Sequence, residues 1–228
     1  MTNVGDEEPG TAGGSFGKGR IEALADGIFG VAMTLLVLDV KLEAGSKFAS
    51  DGALLLRLLS LEHTFVLYFI SFIVLGMFWV GHHAHFHFIR YVDHRILWIN
   101  LIFLFGITAV PFATDLLGDF HELHLPYAIY GMTILALEGL LILQMLYLRR
   151  HPELAEPELT GQIARHVIVR TVLFATVPLL SLVLAFYNSR WAIYSYFLLV
   201  VVHFLPGRID MYTRARLPGE RKAHSPPP

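Results

Sequence analysis

Six runs of mostly apolar residues dominate this sequence, and no other feature constrains its fold as much. They lie at roughly 22–41, 64–82, 96–117, 125–148, 166–187 and 190–206, the last being the shortest. A helix rises about 1.5 Å per residue, so about 20 residues cross the ~30 Å hydrocarbon core of a bilayer. Inside that core every backbone N–H and C=O must find a partner within the protein, which leaves helices or a closed barrel. The runs are continuously apolar and lack the alternation of lipid-facing strands. They predict an all-α, polytopic membrane protein with six transmembrane helices. Composition agrees: 55% of the 228 residues are apolar and 16% charged, where a soluble domain carries about 25% charge. Too few charges remain to coat a soluble surface.

Residues 1–19 and 209–228 read as polar tails, the second basic and closing on Pro226, Pro227 and Pro228. Residues 20–208 form the expected membrane domain. The start lacks the basic stretch and short apolar core of a signal peptide. Six spans put both termini on one side, and Lys and Arg decide which side. With the ends inside, Lys18, Arg20, Arg90, Arg95, Arg149, Arg150, Arg165, Arg170, Arg208, Arg214, Arg216, Arg221 and Lys222 are cytoplasmic. Lys41, Lys47, Arg57 and Arg190 complete the 17 Lys and Arg and lie outside. The expectation is a multi-pass protein of the cell membrane with both termini cytoplasmic. Ala53 to Leu61 is amphipathic and reads as an outward extension of the second helix. The loop from Arg149 to Arg165, with Pro152 and Pro157, reads as the cytoplasmic joint between helices four and five. A net charge of −2 speaks against a nucleic-acid partner. The sequence has no Cys, which excludes disulfides and thiolate metal sites.

The first run carries the densest information. Asp26 is a carboxylate about one turn inside an apolar helix, a costly placement that needs a partner such as Arg or His. At 100° per residue, Val31, Thr34, Leu35 and Leu38 share one narrow face, and Asp26 points roughly 140° away from Val31. Ala23, Gly27 and Gly30 form a ridge of small residues that permits close helix contact. On its own, an apolar stripe of this kind is ordinary packing or lipid contact.

The second run ends in His82, His83, His85 and His87. His83 and His87, four apart, share a helix face as metal ligands can. No Cys or Glu completes a set and no HExxH motif is present, so the expected role is hydrogen bonding at the boundary, with His pairing to Asp26. Asn100 near the start of the third run is expected to hydrogen-bond across helices. Pro111 and Pro178 free backbone carbonyls in their helices. Glu138 in the fourth run is a second intramembrane acid, either an ion or proton site or a partner within the bundle. His203 reads as a core histidine. No nucleophile elbow, P-loop or dinucleotide fingerprint occurs, and the Thr-Val-Gly-Tyr-Gly potassium filter is absent.

Arg20-x-x-x-Leu24-Ala25-Asp26-Gly27, followed by the apolar segment from Ile28 through Thr34 to Leu38, resembles the first-helix signature of the transmembrane-protein-175 family of potassium channels. Trp79-x-x-His82-His83 after helix two, and Asn100 with Pro111-Phe112 in helix three, resemble the same family. The likeness runs over nearly all of 20–208. Leu24 stands where the family usually has Phe, and Ala25 where it has Ser, so one hydroxyl of the expected hydrogen-bond network is missing.

The resemblance implies a homotetramer in which helix one of each subunit lines a central pore and rings of bulky apolar side chains constrict it. Carried over by position, the constriction falls on Val31, Leu35 and Leu38, with Thr34 beside them. Arg20, Asp26, Gly27, His82, His83 and Asn100 would hold the cytoplasmic end of helix one. The expected function is passive, modestly potassium-selective conduction, with potassium ions, the lipid bilayer and three further copies as partners. Neither enzymatic chemistry nor a cofactor or metal is expected. Two rivals follow from the same residues: a proton-coupled secondary transporter using Asp26 and Glu138, and an intramembrane metalloenzyme using the four histidines.

Overall fold

Helix start signals in the polar connectors decide where the apolar runs begin. The computed structural model describes residues 17–40, 42, 48 and 50–198. Ser50 accepts from the backbone N–H of Ala53 at 3.2 Å, opening α2 (Asp51–Ser60). The carboxylate of Asp93 accepts from Ile96 N–H at 2.8 Å and opens α4 (His94–Asp119). Thr160 accepts from Ile163 N–H at 3.3 Å and opens α6 (Gly161–Ala185). Each satisfies an N–H that the first helical turn leaves without a partner. The remaining helices are α1 (Lys18–Leu35), continued by a 3₁₀ turn over Leu36–Asp39, then α3 (Glu62–His87), α5 (His124–Arg150) and α7 (Ser189–Ser195).

Five of these are long and apolar enough to cross a membrane: α1 with its 3₁₀ turn, α3, α4, α5 and α6. The protein is an all-helical, multi-span membrane protein. Large apolar side chains also face outward, with Phe105 75% and Phe112 65% exposed on α4. Helices apolar on both their inner and outer faces belong in lipid. Among the described residues the expected sixth span is represented by α7 and the residues up to 198, and His203, residues 1–16 and all of 209–228 lie outside them.

Two features differ from the sequence reading. α6 starts at Gly161 rather than 166, because its first two turns hold Gln162, Arg165 and His166, which hydropathy cannot see, while Thr160 caps the first turn. The piece expected to extend the second helix is a separate helix, α2. Leu61, at φ −86° and ψ 9°, interrupts the path before α3. The joint between α5 and α6 holds a 3₁₀ turn at Pro152–Leu154.

α1 packs on α3 and α4, α4 on α5, α5 on α6 and α6 on α7, whereas α3 and α6 scarcely touch. The core between α1, α3, α4 and α5 centres on Phe29, Leu36, Leu75, Phe103, Ile107 and Tyr130, all essentially inaccessible. Within it, the buried hydroxyls of Thr114, Ser71 and Tyr130 form a chain, with Thr114 donating to Ser71 at 3.0 Å and Ser71 and Tyr130 3.1 Å apart. The connectors at one end are tied together. Ile89 pairs with Ala155 in an isolated bridge, and Glu156 N–H donates to Phe88 C=O at 2.9 Å. Lys18, at the start of α1, donates to Ile89 C=O at 2.9 Å. This end carries Arg90, Arg95, Arg149 and Arg150 and is the basic end; the opposite end carries Asp115, Asp119 and Glu122.

Candidate pore surface and its anchors

α1 is divided lengthwise. Ile21, Ala25, Phe29, Ala32 and Leu36 recur every three or four residues and are buried against the bundle. On the other side Val31, Leu35 and Leu38 are 59%, 43% and 58% exposed, and Thr34 is exposed among them. The 3₁₀ turn sharpens this arrangement. At three residues per turn, positions i and i+3 eclipse, which stacks Leu38 over Leu35. Thr34 donates its hydroxyl hydrogen to Val31 C=O at 2.8 Å. The hydrogen is thus committed to the helix, and the oxygen keeps its lone pairs toward the outside.

The small-residue ridge also faces outward. Ala23, Gly27 and Gly30 are exposed, and a Cβ built at either glycine meets nothing within 4 Å. Close packing on this ridge does not occur inside the protomer.

Asp26 takes a partner the sequence reading did not name. Its carboxylate accepts the indole N–H of Trp79, on α3, at 2.8 Å. One turn further along α3, His83 stacks on the Trp79 ring with centroids 6.4 Å apart. Among the described residues, the expected Asp26–Arg and Asp26–His pairs do not form. Arg20 lies six residues earlier, about 120° around the helix, and no ion pair joins it to Asp26. His82 faces the interior instead. It is buried, and its Nε2 donates to Asn100 Oδ1 at 2.8 Å. Its ring lies between Phe86 at 4.4 Å and Phe103 at 5.5 Å, with Phe29 of α1 at 6.0 Å.

The six anchor residues read from the sequence therefore fall into separate places. Asp26 and His83 meet on Trp79 at the surface, His82 and Asn100 meet in the core, and Arg20 and Gly27 contribute no side-chain contact to either group. Phe29 links α1 to the interior group through its ring. Ala25 is 1% exposed in the apolar core, so the missing hydroxyl has been replaced by packing. Trp79 is the residue that sequence reasoning undervalued. The available signal was an indole N–H at the same end as an intramembrane carboxylate, since such a donor seeks a partner.

The four histidines divide in the same way, with His82 and His85 buried and His83 and His87 exposed. Among the described residues no group of three or more His, Asp or Glu is placed to hold a metal ion. The two acids of the transporter reading are also apart. Asp26 lies on the exposed side of α1, while Glu138 is buried on α5 beside α3 and α6.

Residues 20–111 match the family model described as endosomal/lysosomal potassium channel TMEM175. Over 190 residues the chain is 30% identical to a potassium channel of Streptomyces collinus, covering 82% of this chain and 91% of that relative. The chain belongs to the TMEM175 family. Its fold is also that of a solved family structure, a lysosomal potassium-selective channel TMEM175 homolog from Chamaesiphon minutus. The TM-score is 0.66 at 25% identity, covering 87% of this chain and 98% of that one. A Gallus gallus relative, named an endosomal/lysosomal proton channel TMEM175, is 32% identical over 112 residues. That match covers 46% of this chain and 22% of the longer relative. The family match takes in α1, α3 and most of α4, which hold the exposed stripe and both anchor groups.

Proposed function

We propose that the chain is a passive, modestly potassium-selective channel of the cell membrane, a homotetramer in which four α1 helices line the pore. The observation that carries this reading is the outward stripe of Val31, Thr34, Leu35 and Leu38 on a helix whose opposite face is buried. Four such stripes around one axis form stacked apolar rings. The relatives named potassium channels support conduction over proton-coupled carriage. The basic end is cytoplasmic by the excess of Lys and Arg there, with both termini on that side. Residues 20–208 form the channel domain.

Apolar rings cannot coordinate an ion. They discriminate by the cost of removing water, and potassium sheds its water more cheaply than sodium. The Thr34 oxygen, with its hydrogen held by Val31 C=O, compensates part of that loss as a lone-pair donor. The same rings close by dewetting. No catalytic residue enters this mechanism.

The deciding experiment is ion flux in liposomes holding the purified chain, with reversal potentials under potassium–sodium and proton gradients. A reversal potential shifted toward the potassium equilibrium value supports the reading. Saturating flux that requires a proton gradient overturns it.

A further inference from the structure

α6 packs extensively on α5, whereas α3 touches α5 lightly and α6 scarcely, and a crevice of about 130 Å³ opens between the three helices. Its walls are apolar, including Val74, Phe78, Leu141 and Phe174. Three buried polar side chains interrupt them: Glu138 and His85, each only 4% exposed, and Thr171, whose hydroxyl donates to Val167 C=O at 3.1 Å. Neither Glu138 Oε2 nor His85 Nδ1 has a hydrogen-bond partner. The remaining charged group on the lining is Arg170, whose guanidinium sits 5.6 Å over the Phe174 ring.

An acid and an imidazole buried without partners in an apolar wall are costly, and neither belongs to the stripe or to its anchors. The crevice lies along α3 from Val74 to His85 and reaches the Phe88 cap, with α5 from Ile134 to Leu141 and α6 from Val167 to Phe174, so most of it lies between spanning helices, where a ligand dissolved in the bilayer reaches it. The occupant must therefore be apolar enough to dissolve in a bilayer and must bring a donor to an acidic oxygen. A fatty acid would set one carboxyl against another. An amine on an alkyl body meets both conditions.

We propose that the α3–α5–α6 crevice is a membrane-facing site for a lipophilic amine, its ammonium N–H donating to Glu138 Oε2 and its alkyl body lying along the apolar walls. The proposal does not depend on what the pore conducts, since it is read by binding.

The test uses the full chain in lipid nanodiscs, with tritiated N,N-dimethyldodecylamine as probe and empty nanodiscs as background. Saturable binding is expected, displaced by unlabelled amine and not by dodecanoate. Glu138→Gln, which keeps the shape and removes the charge, should weaken binding about 10- to 100-fold, as loss of a charge-assisted hydrogen bond does. Gly81 lines the same crevice, and a Cβ there meets nothing within 4 Å. Gly81→Phe should therefore fold, fill the space and abolish binding, which keeps the test decisive even if Glu138→Gln fails to fold. Non-saturable uptake, displacement by dodecanoate, or wild-type affinity in either variant overturns the proposal. So does Gly81→Phe breaking the oligomer in light scattering while the wild type binds no amine, because a second copy then fills the crevice.

Discussion

The Trp79 indole N–H donates to the Asp26 carboxylate at 2.8 Å and fastens the exposed side of α1 to α3. The buried stripe on α1 fixes the helix against the bundle, and this bond sets its rotation from the other side. It lies midway along α1, whereas Leu35 and Leu38 lie at the end of the helix and on the 3₁₀ turn that follows it. Anchor and stripe share one helix, and among the described residues no hydrogen bond joins them.

Trp79→Phe and Asp26→Ala should therefore cost stability and leave selectivity intact. The bond is exposed, so each substitution should destabilise the protomer by about 1 kcal/mol, and the double variant by little more than either single one. Asp26→Asn keeps an acceptor oxygen and should lose less. Unfolding in detergent measures the first effect and reversal potentials the second. A changed potassium-to-sodium ratio in a normally stable Asp26→Asn channel would sink this separation of roles.

Leu35 and Leu38 eclipse one another on the 3₁₀ turn, so the narrowest rings should be set by this pair. Leu35→Asn replaces a dewetting ring with four amides that hold water. Single-channel conductance should rise several-fold and the preference for potassium over sodium should fall. An unchanged reversal potential in Leu35→Asn would remove the constriction from this position.

Much of this arrangement was legible in the sequence. That Val31, Thr34, Leu35 and Leu38 share one face of α1 follows from 3.6-residue periodicity, whereas the expectation that this face lines a pore comes from the likeness to the family, because periodicity alone fits packing or lipid contact equally well. The rotation of Leu38 did not follow, since the change to three residues per turn at Leu36 is set by tertiary packing of that fully buried leucine. The partner of Asp26 was hidden for a different reason. His82 and Trp79 sit three residues apart on α3 and either could have met a carboxylate, but burial turned His82 toward Asn100. Charge pairing rules name chemical types and do not say which of two neighbours faces outward. Glu138 was visible as a costly intramembrane acid, and only the gap between α3 and α6 gives it a place to act.

The pair formed by His82 and Asn100 gives a sharper energetic test. Asn100→Leu leaves a buried imidazole N–H without an acceptor and should cost about 1–3 kcal/mol. His82→Phe should cost a similar amount by orphaning the Asn100 amide, although a phenyl ring suits the space between Phe86 and Phe103. The double variant replaces both partners by apolar groups and should recover part of the loss. Thermal unfolding of the four proteins in one detergent closes the cycle, and strictly additive losses would mean that the two side chains do not cooperate.

Gly27 and Gly30 separate assembly from folding. Both are exposed, and neither has an atom within 4 Å of the position a Cβ would take, so Gly27→Leu and Gly30→Leu add no clash inside the protomer. Leucine is also the better helix former by about 0.8 kcal/mol. The protomer should therefore be as stable as the wild type or slightly more so. Between copies the result should be opposite if the proposed tetramer forms, because a ridge of small residues beside the stripe would let neighbouring α1 helices approach closely. Light scattering should show loss of the tetramer, and flux should vanish with it. Ala32, 2% exposed on the buried side of the same helix, supplies the contrast: Ala32→Leu overpacks the core and should destabilise the protomer by about 1–3 kcal/mol. Tetramers that persist in both glycine variants would place the contact between copies elsewhere and take the four-helix pore with it.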